Sequence, residues 1–599
     1  MRKNNLGRLL VGYERAELHG IEGKSFFLRN VTGSVRSGKR GGTRLKRLTS
    51  FTSRLIAYTS ARAYGLFLLG FGIVTMLVHF IKDYFGLYGT MPLSVLIVGT
   101  VLSILSIPLI AIDKPVGVAF QEFWLTDYVF FEFFAIKRMH PNEAERGINP
   151  MLLLPLGMGF GALGSIVSPT YIAFGLGAAV YLYLTFISPE FSFFLIFLAI
   201  PYISMTGYSE VVLSVMVGVT LASFLRKVIA GKRVYSFEQY DLELFLMLSF
   251  ILVSGIFVKG VESFGSSVVM IVLAMGYCLS GNLVVNRRLA DCAINAITIS
   301  SVPVSVIAVS QFITEWAVGG SLPSAGVSAT FSSSSVLAVF MLVAFTFSAY
   351  FFKNVSGRVG KAVYGIIMIL ATLGLCATLQ IWAAVSVVFG ILAYRIARGR
   401  RFIGFLLGAV GGVLYLLLFI PVTLLAATSE IPILSALRLE ELGNLWQTSF
   451  RMLSDNLFVG VGMGGDSFES EIAGYYDTVA RHSSNFFLEI GVEAGVFALA
   501  FFIVLMLIRL IHRSRYRRYL IDSDLNPVSH TCSSVIISLI VFGVFNYVWE
   551  DMSMYYLFWC VFGIGSASLR IAKREYDDRV AYFSDGRSVH YSAVDIALK

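Results

Sequence analysis

From residue 63 to residue 570 the chain is a succession of apolar runs, most of them near the length that crosses a bilayer. A hydrocarbon core of about 30 Å asks for about 20 apolar residues in a helix. Backbone groups in lipid must bond internally, so each crossing segment should be helical. The runs fall near 63–82, 91–112, 151–168, 170–188, 191–205, 209–225, 242–259, 267–285, 292–313, 335–352, 362–380, 382–394, 402–427, 486–508, 532–549 and 553–570. This predicts an all-α polytopic integral membrane protein, a helical bundle of about 14–16 spans with one large external loop. Composition excludes the main alternatives. Of 599 residues 56% are hydrophobic and 14% charged, against roughly half and a quarter in soluble domains. A soluble enzyme, a nucleic-acid-binding domain and a disordered chain are all ruled out.

The formal net charge of +10 reads as a topology signal, because cytoplasmic loops collect Lys and Arg. Residues 1–62 carry fourteen of them, including Lys39, Arg40, Arg44, Lys46 and Arg47. With the N-terminus inside, the basic clusters at Arg226–Arg233, Arg287–Arg288, Lys353–Lys361, Arg395–Arg401, Arg509–Arg518 and Lys573–Arg579 all fall on the same inner side. The expected location is the cytoplasmic (inner) membrane, multi-pass, with N- and C-termini cytoplasmic. The expected organisation is a basic cytoplasmic segment (1–62), a helix pair with an interfacial segment (63–150), a transmembrane bundle (151–427), the external loop (428–485), closing transmembrane helices (486–570) and a cytoplasmic tail (571–599). The aromatic, acidic stretch 116–137 suits the inner surface. Five cysteines, Cys278, Cys292, Cys376, Cys532 and Cys560, lie in or beside apolar runs and read as reduced packing residues. The seven histidines are scattered over both faces, so metal ligation has no support, and no cofactor is expected.

The external segment 428–485 holds Trp446, a glycine series (Gly460, Gly462, Gly464, Gly465), three arginines (Arg438, Arg451, Arg481), no lysine and eight acidic residues. Loops of about 58 residues without structure are uncommon and usually functional. Arginine presents a planar fork that grips phosphate oxygens in pairs; incidental pairing with the loop's own acids is the competing account. His482, where the loop meets the next span, could take a proton from a hydroxyl near neutral pH, or be merely structural. Ser484 or Asn485 could cap that helix. Glu489 and Glu493 lie one turn apart on it, and carboxylates within a span are costly enough to be functional candidates. Glu550 and Asp551 are weaker candidates of the same kind. The glycine series resembles a phosphate cradle only in glycine content.

These residues together resemble the O-antigen ligase and Wzy-type polysaccharide polymerase superfamily. The shared pattern is a tryptophan (Trp446), a Gly-x-Gly-x-Gly-like stretch (Gly460, Gly462, Gly464), and a His/Asn-headed helix (His482, Asn485) with a Glu and a Gly about ten residues on (Glu493, Gly495). Upstream, Ala329–Phe331 resembles the family's external turn before a span. The resemblance covers roughly 210–570. Where the family often carries a second histidine directly before the asparagine, this chain has Ser484.

The resemblance implies a glycosyltransferase-C-like bundle. It implies a metal-independent inverting glycosyltransferase acting on polyprenyl-diphosphate-linked glycan at the outer face of the cytoplasmic membrane, as polymerase or ligase. Catalysis would fall to His482, and substrate binding to Arg438, Arg451, Arg481, Trp446, Asn485, Glu489 and Glu493. Partners would be the lipid-linked glycan, the bilayer and other polysaccharide assembly proteins, with no nucleic acid. The alternatives are a transporter or flippase of a lipid-linked or small solute, which should show broken helices repeated between halves, and a non-catalytic subunit of a polysaccharide assembly complex.

Overall fold

A computed structural model describes residues 58–85, 93–122, 148–163, 169–205, 208–231, 233–237, 240–258, 260–319, 326–355, 357–397, 410, 412, 439–475, 480–520, 523–549 and 551–584. Among them the helices run α1 (Ala61–Tyr84), α2 (Leu93–Ile110), α3 (Val116–Glu122), α4 (Pro150–Leu163), α5 (Pro169–Ile187), α6 (Pro189–Ile203), α7 (Ser209–Ile229), α8 (Asp241–Phe257), α9 (Gly260–Leu283), α10 (Arg287–Gly319), α11 (Ser334–Asn354), α12 (Arg358–Ala377), α13 (Ile381–Ala397), α14 (Leu439–Asp455), α15 (Gly465–Ile472), α16 (Phe486–Arg515), α17 (Arg517–Leu520), α18 (Asn526–Phe545) and α19 (Met552–Ser584). No strand occurs among the described residues. Nine of these helices are long and apolar enough to cross a membrane, and five shorter apolar ones accompany them. The chain is therefore an all-α polytopic membrane protein. The expected basic segment before residue 58, most of the expected span at 402–427, and Arg438 lie outside the described residues.

The chain divides into two compact units. In the first, α1 packs on α2 and α4. Gly157 of α4 lies against the backbone of Phe67, where any side chain would collide. Small residues that let backbones approach are the usual contact device between helices in lipid. Of the expected interfacial stretch 116–137, α3 is described, with Lys114 held by Glu122 at 2.6 Å.

In the second unit α19 is the central element. Nearly every residue from Tyr555 to Leu569 is buried, and α9, α18 and α17 pack on it. Gly276 of α9 faces its Tyr556 and Cys560, while its Phe562 packs edge-on to Tyr240 and Tyr277 and its Tyr555 to Trp549. The buried hydroxyls of α10 are satisfied locally. Thr298, Ser300, Ser301 and Ser305 of α10 each donate to a carbonyl one turn back, so they cost little in an apolar setting. With 33 residues, α10 spans about 50 Å, well beyond a hydrocarbon core. The expected turn before a span is present: Ala329 adopts φ 51°, and Ser333 caps α11 by accepting from Val336 N. All five cysteines are free thiols.

The segment expected as one long external loop carries helical structure. Helix α14 buries Thr448, Ser449, Met452 and Leu453, and leaves Gln447, Phe450, Arg451, Ser454 and Asp455 exposed. Met452 and Leu453 join Val461, Phe468, Ile472 and Val492 in a separate apolar cluster. The segment thus has a small core of its own, fastened to α16 through Val492. Its apolar positions are spaced by three and four, but they are interspersed with so many polar residues that the segment reads as loop beside the apolar spans.

Candidate active site

Helix α16 is broken at Gly495, which adopts φ 85° and ψ 170°. Only glycine enters that region without strain. The break separates a short head, 486–494, from the long apolar stretch that follows. A broken helix strands backbone groups that must find partners. Here the glycine-rich stretch 457–464 supplies them. Val461 N donates to Val492 O at 2.8 Å, Gly462 N to Glu493 O at 3.2 Å, and Val496 N to Leu457 O at 2.8 Å. Ser254 Oγ of α8 also donates to Glu493 O, at 2.7 Å.

The glycine series is explained by this docking. Gly460, Gly462 and Gly464 have φ of 75°, 102° and 100°, and Gly460 lies directly on the carbonyls of Val492 and Glu493. The remaining amides of the strand are also engaged. Met463 N donates to Ser263 Oγ at 2.9 Å, and Gly464 N to Glu493 Oε1 at 3.0 Å. Four successive N–H groups, from Val461 to Gly464, are therefore consumed inside the protein. The strand is not an anion-binding nest of open amides.

The head of α16 is capped by Asn485. Its Oδ1 accepts from Phe487 N at 3.0 Å and Leu488 N at 3.1 Å, and its Nδ2 donates to Val544 O near the end of α18 at 3.0 Å. Glu489 reaches back over the cap to accept Ser483 N at 2.5 Å, a reciprocal arrangement akin to a capping box. Ser484 sits at φ 51°, which turns the chain so that His482 stands clear of the helix. The imidazole lies 5.7 Å from the Tyr547 ring, centroid to centroid, and its Nδ1 is 3.4 Å from Ser484 Oγ. Burial pushes its pKa down to about 4, because the cation loses more hydration than the neutral ring. At neutral pH His482 is an uncharged base.

Glu489 and Glu493 are almost fully buried, at 0% and 3% exposure. Glu493 takes Gly464 N–H, and the Tyr547 hydroxyl lies within its reach. No Lys, Arg or His lies within ion-pair distance of either carboxylate among the described residues. The pair organises the site from behind: one carboxylate fixes the turn after His482, the other fixes the glycine strand and Tyr547. Burial drives the Tyr547 phenol well above its ordinary pKa, with the Glu493 and Glu489 carboxylates adding to the effect, so it stays a donor.

The arginines stand further out. Arg481 is exposed and paired with Asp466 at 3.3 Å and Glu469 at 3.1 Å, both on α15. Arg451 is exposed on α14; no hydrogen bond or ion pair joins it to His482 among the described residues. Trp446, one turn before it, lies 6.1 Å from the Phe545 ring, which stacks on Trp382 at 3.5 Å. The structure thus brings His482, Asn485, Glu489 and Glu493 into one cluster, sets Arg481 at its rim, and keeps Arg451 and Trp446 on a neighbouring helix. Asp551 caps α19 through Ser553 N at 2.7 Å and also takes Ser204 Oγ at 3.1 Å, while Glu550 lies outside the described residues. Sequence reading missed Tyr547, Phe545 and Trp382. Aromatic residues at span ends are the ordinary furniture of membrane interfaces, so nothing in the sequence marks them out. No group of three His, Cys, Asp or Glu residues suited to a metal ion occurs among the described residues.

Residues 362–503 match the family model described as Wzy_C, O-antigen ligase. The matched stretch runs from α12 through segment 428–485 and past the break in α16, so it contains His482, the acidic pair and Gly495, and ends before Tyr547. No curated protein matches the chain.

Proposed function

We propose, from the match of residues 362–503 to the O-antigen ligase family model, that the chain is an inverting glycosyltransferase. It acts on polyprenyl-diphosphate-linked glycan at the outer face of the cytoplasmic membrane. The observation that carries this reading is the cluster at the head of α16, where the His482 imidazole packs on Tyr547 beside the turn held by Glu489, with the exposed Arg481 adjacent to it in the chain. His482 removes the proton from an acceptor hydroxyl. The freed oxygen attacks the anomeric carbon of the donor, the bond from that carbon to the diphosphate oxygen breaks, and polyprenyl diphosphate leaves with the electron pair. The anomeric centre inverts, and the imidazolium returns its proton to water.

The leaving diphosphate needs positive charge where its negative charge develops. Arg481 can exchange its carboxylate partners for phosphate, because exposed pairs of this kind contribute only about 0–1 kcal/mol. Arg451 and Arg438 are the further cations of the same segment. Trp446 and Asn485 complete the set, the first as an apolar wall for glycan, the second by fixing the helix head. Whether the acceptor is a second lipid-linked glycan or a lipid core is a matter of what else binds.

The transporter alternative would find its support in the break of α16, since discontinuous helices line many transport sites. That support is weak here, because the stranded groups are taken up by Val461, Gly462, Leu457 and Ser254 rather than left to line a cavity.

The test is glycan transfer by protein reconstituted in vesicles with lipid-linked oligosaccharide, alongside surface-polysaccharide chain length in cells. His482→Ala should lower the rate by about 10²–10⁴-fold, and Arg481→Ala should lower it with the protein still present in the membrane. Unchanged glycan in the His482→Ala strain would end the assignment.

A further inference from the structure

The acidic pair and the candidate base are joined through one residue that lies outside the family match. Tyr547 sits in the short connection between α18 and α19. Its hydroxyl lies within reach of the Glu493 side chain, and its ring lies against His482. Glu493 in turn holds Gly464 N–H through its side chain and Gly462 N–H through its carbonyl. Glu489 holds the backbone immediately after His482. The imidazole is therefore fixed from two directions, by its own chain through Glu489 and by its ring through Tyr547.

We propose that Tyr547 is the positioning residue of this site: a strut that carries the fixed position of the Glu493 carboxylate to the imidazole of His482. The inference rests on the reading of His482 as the base, but it makes a separate claim about how that ring is held. The chemistry of the contact is divided. The phenol ring supplies packing that keeps water from the imidazole, and the hydroxyl supplies the tether that keeps the phenol ring in place. Removing the hydroxyl alone leaves the ring present and free to shift. Removing the whole side chain opens the imidazole to water. The titratable groups of the packed cluster are Tyr547, Glu489, Glu493 and, behind Tyr547, Tyr555 of α19; Arg481 is directed away, towards Asp466 and Glu469.

The test compares wild type, Tyr547→Phe, Tyr547→Ala and Glu493→Gln in the full-length protein. The probe is diethyl pyrocarbonate, with which an imidazole reacts only in its neutral form. Labelling of the His482 peptide is followed by mass spectrometry from about pH 5 to about pH 7.5, a window that brackets the ordinary histidine pKa. Wild-type labelling should be slow, with a rate constant flat across the window. Tyr547→Phe and Glu493→Gln should label several-fold faster. Tyr547→Ala should label fastest, and its rate should fall below about pH 6.5 as the hydrated ring regains its usual titration.

Transfer kinetics give the second readout. Tyr547→Phe should lower kcat by about tenfold, the scale of a sub-ångström misplacement, with KM for the donor close to wild type. Labelling at the wild-type rate in all three variants would overturn the proposal. So would faster labelling with an unchanged kcat. If labelling responds as expected while His482→Ala retains full transfer, the strut stands and the assignment of His482 as base falls.

Discussion

Replacing Gly495 by alanine is the sharpest test of how the site is assembled. The residue holds φ 85° and ψ 170°, and strain of about 1–3 kcal/mol attends a side chain in such a region. A Cβ there would also press on the backbone of Phe458, 2.6 Å from its carbonyl carbon and 3.1 Å from Leu457 O. Backbone cannot swing aside as a side chain can, so the strand 457–462 must move. Movement of a few tenths of an ångström loses at least one of its bonds to α16, at about 0.5–1.5 kcal/mol each. The sum is a local destabilisation of about 2–4 kcal/mol. At about 1.4 kcal/mol per tenfold, the amides of Val461, Gly462 and Val496 should exchange roughly 30- to 700-fold faster. Hydrogen exchange read by mass spectrometry on the detergent-solubilised protein measures this directly. Peptides from α19 should exchange as in wild type, since the perturbation is local. Unchanged exchange in 457–462, or an equal loss of protection throughout the bundle, would refute the claim that this glycine secures the external segment to α16.

Other expected outcomes follow from single contacts. Burial holds His482 at about 4, whereas an unfolded chain titrates near about 6.5. The folded state binds fewer protons between those values, so the stability that this group contributes is complete above about pH 6.5 and drains away as pH falls towards 4; thermal unfolding across that range should show it, and His482→Gln should flatten the profile. The acid limb of transfer activity should likewise fall near pH 4 rather than near the ordinary imidazole value, which a pH–rate profile reads. Asn485→Ala removes the cap of α16 and should cost about 1 kcal/mol, seen as a lowered unfolding temperature, while Asn485→Asp keeps the cap and loses only the bond to Val544 O. Met452→Ala empties part of the small core around Val492 and should cost about 2–5 kcal/mol, measured as faster proteolytic cutting within 439–475.

Much of this architecture was written in local chemistry. Runs of apolar residues predict spans because lipid leaves the backbone no other choice, and helices stand where those runs lie at 335–352, 486–508 and 553–570. The cap at Asn485 was equally readable, since a short polar acceptor before an apolar run has one common use. The site was legible in its parts and not in its assembly. Glu489 and Glu493 read as carboxylates awaiting substrate, yet each is taken by backbone N–H groups distant or reversed in sequence. The glycine series resembles a phosphate cradle only in content, and its purpose appears only when the break at Gly495 places carbonyls beside it. Tyr547 was invisible because its two partners, Glu493 and His482, are more than fifty residues away. Helix α14 escaped notice because its apolar face covers a small satellite core rather than the bilayer-spanning bundle.

The saturated amides of the glycine strand carry a consequence for how any anionic substrate is felt. A nest of open N–H groups acts through short, fixed dipoles and is little affected by dissolved ions. Here Val461, Gly462, Met463 and Gly464 have no amide to offer, so on the proposed reading a diphosphate would be met by exposed guanidinium groups such as Arg451 and Arg481. Such attraction is screened over about 8 Å at physiological ionic strength. Donor capture should therefore weaken steeply as salt is raised, with KM climbing while the turnover of bound donor stays level.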